Sequence, residues 1–172
     1  AARSGREPQP GLALLRLAQR KRKPAAASIR RAVGETILPL KRAALLPAYI
    51  EIMLAIGDLE DARGASRELA EIAERQESES LRALAAHAAG AIALAEGDPG
   101  AALPVLRSAW HAWQELEAPY EAARARVFVG LACAALGDED AAAGELEAAR
   151  EAFSSLGAAL DVAHVESLTG RR

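Results

Sequence analysis

A Gly-Asp pair recurs at Gly57-Asp58, Gly97-Asp98 and Gly137-Asp138, forty residues apart each time, and this period limits the fold more than any other feature of the chain. Each pair separates two apolar-periodic segments. The glycine can take the left-handed conformation that closes one helix, and the aspartate can accept the free amide hydrogens that open the next. The dipeptide therefore reads as a helix-to-helix turn. Alanine follows each glycine by five residues, at Ala62, Ala102 and Ala142, and Ile50, Gly90 or Gly130 precedes it by seven. Small residues at such places let paired helices approach closely. The pattern predicts helices over 39–56, 59–75, 80–96, 99–116, 119–136 and 139–156, with Pro99 and Pro119 in first turns, where a missing amide hydrogen costs nothing. Upstream, 12–19 and 25–33 read as one more hairpin whose turn, Arg20-Lys21-Arg22-Lys23-Pro24, lacks the glycine but keeps Ala25 five residues after Arg20. A short last helix over 160–168 would cap the array.

Composition agrees with packed helices. Of 172 residues, 51% are hydrophobic but only 3% aromatic, and alanine and leucine, strong helix formers, dominate the apolar set. No stretch alternates apolar and polar residues long enough for a strand. Twenty-one basic residues against twenty-four acidic ones give a formal charge of -3, too balanced to announce nucleic acid or an anionic membrane as the partner of this segment. The single cysteine, Cys133, excludes an internal disulfide framework and a multi-thiolate metal site and points to a reducing compartment. No uncharged twenty-residue span reads as a membrane helix. With Ala1 in place of an initiator Met and no signal core, the expectation is a cytoplasmic piece of a longer protein.

The helix pairs, small residues and turns at fixed offsets resemble tetratricopeptide repeats lengthened from the usual unit. Gly90 and Gly130 match that family's helix-A glycine, and Ala62, Ala102 and Ala142 its helix-B alanine. Ala109 and Ala149 match the second helix-B alanine, whereas Leu69 departs from it. The polar, proline-containing residues 1–10 read as a flexible segment. The resemblance implies an all-α, right-handed superhelical array of antiparallel helix pairs, one repeat domain over 11–172. Its repeats are 11–36, 39–77, 80–117 and 119–157, with the cap at 160–168. A narrower resemblance is carried by Ala112-Trp113-Gln114-Glu115-Leu116, by Ala118-Pro119-Tyr120-Glu121-Ala122-Ala123-Arg124 and by Leu131-Ala132-Cys133-Ala134-Ala135-Leu136-Gly137-Asp138. These look like the helical region before the C-terminal DNA-binding domain of large LuxR-family (MalT-like) transcriptional regulators. That family implies an ATPase module first, an effector-sensing or assembly role for the helical-repeat region, and DNA bound by a C-terminal domain; this segment matches the middle part, for which neither catalysis nor a cofactor is expected. The segment itself has no phosphate-loop motif and no recognition helix after Leu168.

In tetratricopeptide arrays helix-A residues line the concave surface, and counting from the matched glycines places Glu51, His87, Ala91, Leu94, Arg124, Val127 and Leu131 there. Such a wall can hold a peptide, a partner helix or a small-molecule effector, or can simply pack inward. Trp110 and Trp113 share a helix face, with Tyr120 beyond the next turn; exposed, they would anchor a partner, and buried, they would lock hairpins together. His87, His111 and His164 fall on three different helices without ligand spacing, so no metal is expected. Cys133 sits among Leu131, Ala132, Ala134 and Ala135, where a thiol behaves as a small hydrophobe. The basic run Arg20 to Lys23 lacks interleaved aromatics and reads as a solvated turn, and Glu68, Glu71, Glu74 and Glu77 read as a wet outer face. Beside the regulator stand two other expectations: a stand-alone adaptor binding a peptide or protein, and an enzyme with a site between repeats, for which no motif is present. Self-association of the array is a further possibility.

Overall fold

The computed structural model describes residues 9–170. The flexibility expected of 1–10 lies outside them for residues 1–8. The described residues form helices and turns only: α1 (Gly11–Ala18), α2 (Arg22–Glu35), α3 (Pro39–Ile56), α4 (Leu59–Arg75), α5 (Glu79–Ala95), α6 (Pro99–Glu115), α7 (Pro119–Ala135), α8 (Glu139–Ser155) and α9 (Ala159–Leu168). The chain is thus an all-α array of antiparallel helix pairs of the tetratricopeptide-like kind. It divides into two compact units, 1–76 and 77–172.

Turn chemistry explains the regularity. Gly57, Gly97 and Gly137 have φ of 82°, 79° and 83°, and the aspartate after each caps the next helix. Asp58 Oδ1 accepts from the amide of Asp61 at 3.1 Å, Asp98 Oδ1 from Ala101 at 3.0 Å and Asp138 Oδ1 from Ala141 at 3.1 Å. Positive φ also occurs at Glu77 (49°), Glu117 (53°) and Gly157 (71°), so from Gly57 onward a left-handed residue comes every twenty positions, half the period that the Gly-Asp pairs display. At the glycine-free first turn Arg20 takes the left-handed conformation, φ 59°, and Ala25 is fully buried as the register requires.

Left-handed backbone costs a residue with a Cβ about 1–2 kcal/mol. Glycine removes that cost and gives back about 0.4–1 kcal/mol through its looser unfolded chain. Glu117→Gly is therefore expected to raise stability by about 0.5–1 kcal/mol, read as a higher denaturant midpoint. A lower midpoint would show that the Glu117 side chain contributes more than its backbone costs.

In residues 1–76 the core runs along α2, α3 and α4 through Ile29, Leu46, Ile52, Met53 and Leu69, all essentially inaccessible, with Ala25, Ala43 and Ala62 among the buried small residues. Arg42 ties the three helices together. It forms a two-pronged ion pair with Glu68 on α4, the Nη2–Oε2 arm at 2.9 Å, and donates from Nη1 to the Val33 and Thr36 carbonyls at 2.5 and 2.8 Å. Those carbonyls lie at the end of α2, where the helix leaves acceptors without internal donors.

In residues 77–172 each helix packs on the next, and the small residues carry the close approaches. A Cβ on Gly90 would collide with Leu106 Cγ and lie 2.6 Å from its Cδ2, and one on Gly130 would lie 2.9 Å from Leu146 Cγ. Both leucines come from the following helix, sixteen residues on, and both are buried. In the earlier copy the sizes are exchanged: Ile50 stands at the glycine position and Ser66 at the leucine position. The last helix, α9, docks Val165 into the cluster of Val127, Leu146, Ala149 and Phe153 but leaves Leu160 88% exposed.

Candidate functional site

Helices α5 and α7 are the first members of their pairs and α9 is the last helix, and together the three carry a row of polar groups. His87 on α5 meets Phe128 on α7 edge-on, with ring centroids 4.9 Å apart. Burial, and after it the Arg124 guanidinium, lowers the imidazole pKa from 6.5 to about 4, so His87 is neutral at physiological pH. Arg124 Nη1 lies 3.5 Å from Glu121 Oε2, one turn back on α7. Tyr120, at the start of α7, donates its hydroxyl to Asp161 Oδ2 on α9 at 3.2 Å and sets its ring edge-on to Phe153 at 5.6 Å. Burial and then the Asp161 charge raise the phenol pKa, while Arg124 opposes them. A neutral imidazole on α5, a guanidinium, a phenol and a carboxylate on α7, and a second carboxylate on α9 thus form one row of donors and acceptors, an arrangement suited to the backbone of an extended chain.

Of the seven wall positions predicted from sequence, the structure brings His87 and Arg124 into this row. Ala91 and Val127 are buried at 7% and 5% exposure and belong to the helix contacts. Leu94 and Leu131 are half-buried against neighbouring core clusters, and Glu51 is exposed on α3 in the other unit. Glu121, Phe128 and Asp161 went unpredicted. Glu121 and Asp161 stand forty residues apart, so the repeat period itself was the signal that relates them.

The three aromatic candidates have different fates. Trp113 is buried among Ala83, Ala122 and Ala125. Trp110 is half-buried beneath the Arg126 guanidinium, 5.0 Å from the ring centre, and Arg126 Nε in turn donates to Glu145 Oε2 at 2.5 Å. Tyr120 is 41% exposed and belongs to the polar row. Cys133 is buried, and burial raises its thiol pKa. His111 and His164 are exposed on α6 and α9. Among the described residues no cluster of three or more His, Cys, Asp or Glu side chains could hold a metal ion, and no helix is long and apolar enough to cross a membrane.

A concavity lies within residues 1–76, where α2 passes into α3. This cleft of about 720 Å³ is lined by Ser28, Arg31, Thr36, Ile37, Lys41 and Leu45 among others. No periodic pattern marks it in the sequence, because part of its lining, Thr36, Ile37 and Leu38, belongs to the connection between α2 and α3.

Antiparallel helix pairs with close glycine and alanine contacts define a helical-repeat protein of the tetratricopeptide-like class. Among solved structures the chain is similar to a Rap protein complexed with Competence and Sporulation Factor, with a TM-score of 0.75, 19% sequence identity and 92% of this chain covered. The match covers 47% of that protein, so this chain spans about half its length. At that identity the likeness establishes the fold. No family model matches the sequence, and no curated protein does.

Proposed function

We propose that this chain is a non-catalytic interaction module that holds an extended peptide or protein segment against the first-helix face of residues 77–172. The observation that carries the reading is the row from His87 on α5 through Arg124 and Tyr120 on α7 to Asp161 on α9, which sets donors and acceptors side by side. The Rap structure gives independent support, because that protein shares the helical array and was solved with a bound factor. In the fuller reading the module is the effector-sensing region of a cytoplasmic LuxR-type transcriptional regulator. Ligand binding there biases the protein between inactive and DNA-binding states by favouring one of them.

Screening a library of short fluorescent peptides by anisotropy tests the binding role. A saturable binder is expected, and Arg124→Glu should weaken it at least about tenfold by turning an attraction into a repulsion. Glu60→Lys, on exposed α4 surface, should leave it unchanged. Binding insensitive to Arg124→Glu would move the site elsewhere, and no saturable peptide at all would remove the groove reading. The regulatory context is tested by the downstream coding sequence, where a helix-turn-helix pattern is expected within about a hundred residues, the size of one further domain. Its absence would leave the same groove on a stand-alone adaptor.

A further inference from the structure

The basic turn Arg20-Lys21-Arg22-Lys23 lies in the repeat register. Arg20 takes the left-handed place of Gly57, Gly97 and Gly137, and Ala25 takes the buried place of Ala62, Ala102 and Ala142. Lys21, Arg22 and Lys23 therefore stand where the last copy has Asp138, Glu139 and Asp140. The charge of the turn is inverted between the first and last hairpins.

The acidic version has a local cause. Asp138 caps α8, and Glu139 and Asp140 face the positive end of its dipole. The basic version has none: Lys21 makes no side-chain cap, α2 has no acidic residue in its first turn, and three cations crowd an N-terminus that disfavours them. Arg20, Lys21, Arg22 and Lys23 are exposed, and among the described residues none lies in an ion pair. Asp138, Glu139 and Asp140 are likewise exposed and in no ion pair among the described residues.

The two charges are also segregated along the chain. Residues 9–42 hold nine Lys and Arg against the single carboxylate Glu35, whereas residues 77–172 hold fifteen Asp and Glu against seven Lys and Arg. We propose that the basic α1–α2 turn of one copy docks on the acidic α7–α8 turn of a second copy, so that the chain self-associates through a heterologous, charge-complementary contact. A polyanion fits the observations less well. The acidic half of the chain repels it, and the basic turn offers no aromatic side chain to stack on a base. This contact goes beyond the peptide groove and uses none of its residues.

Sedimentation velocity over a concentration series tests the contact. The chain is expected to associate at low salt, with an association constant at least about tenfold weaker at high salt, where screening shortens the reach of charge. One variant carries Arg20→Glu, Lys21→Glu, Arg22→Glu and Lys23→Glu; the other carries Glu139→Lys and Asp140→Lys and keeps the Asp138 cap. Each alone should be monomeric, and an equimolar mixture should associate again, because each supplies the charge that the other has lost. The first variant should melt no lower than the parent, since acidic residues suit the start of α2. A parent that stays monomeric overturns the proposal, as does a mixture that fails to associate. A monomeric parent that binds duplex RNA or anionic vesicles through Arg20 to Lys23 also overturns it and assigns the turn to a polyanion.

Discussion

Gly130→Leu is expected to lower the stability of residues 77–172 by about 3 kcal/mol, the upper part of the range for overpacked cores, and its melting temperature by about 15 °C. Even a methyl on Gly130 would stand 2.9 Å from Leu146 Cγ and 3.3 Å from the Ala142 carbonyl oxygen. Leu146 is only 6% exposed and is held among Ala149, Phe153 and Val165, so it has little room to retreat. The better helix propensity of leucine offsets about 0.8–1 kcal/mol and does not reverse the sign. Gly90→Leu should act in the same direction, because its Cβ would meet Leu106 still more closely. Pairing Gly130→Leu with Leu146→Ala, which vacates the space, should recover part of the loss. Chemical denaturation of the two single variants and the double variant measures this coupling. If Gly130→Leu melts with the parent, α7 and α8 do not touch where the structure places them.

That contact was legible because glycine and alanine are the residues a close helix crossing demands, and the forty-residue period repeats the demand. The same punctuation fixed the ends of the helices. The spans 39–56 and 59–75 predicted from Pro39, Gly57 and Asp58 are those observed, and α5 to α8 agree to within a residue at each end. The turns at Glu77 and Glu117 were not legible as left-handed positions, because glutamate carries no conformational signature; only the fold forces φ positive there. The sequence pattern puts the start of α2 three residues late, since a run of cations argues against a helix N-terminus and conceals one.

The candidate site was less legible for a related reason. Helix α7 has neighbours on several sides, with Ala122, Ala123, Ala125, Val127, Val129, Gly130, Ala132 and Cys133 all buried, so its apolar residues do not mark a single face. Counting from Gly130 found Arg124, where a charge must reach solvent or a partner, but also reached Val127, which packs inward. Phe128 escaped because its role is an edge-on ring contact with a histidine from another helix. Asp161 escaped because its partner, Tyr120, lies forty-one residues away and reads in the sequence as an aromatic anchor, not as a hydrogen-bond donor.

Acidification isolates His87 within this site. Its pKa falls from 6.5 to about 4 in the folded chain, chiefly through burial and secondarily through Arg124. Between those values the unfolded chain takes up a proton that the folded chain refuses, so stability is full above pH 6.5, declines as the pH falls, and levels off below about 4. Because a tenfold change in proton affinity is worth about 1.36 kcal/mol, the total loss across this window is about 3 kcal/mol. Asp61 and Glu68 act in a lower window. The hydrogen bonds from Arg30 and Arg42 depress their pKa values below 3.8 and 4.5, so the stability they contribute is lost only as the pH falls below those ordinary values. His87→Gln, which cannot titrate, should therefore flatten the stability profile between pH 6.5 and 4 and leave the more acidic limb in place. Arg124→Gln should only narrow the window from below, because it removes the smaller cause and leaves the burial. Denaturant unfolding at half-unit pH steps, with a histidine NMR titration of the folded chain, distinguishes the three proteins. Parallel profiles for the parent and His87→Gln would mean that the imidazole is open to water and that the contact with Phe128 does not close over it.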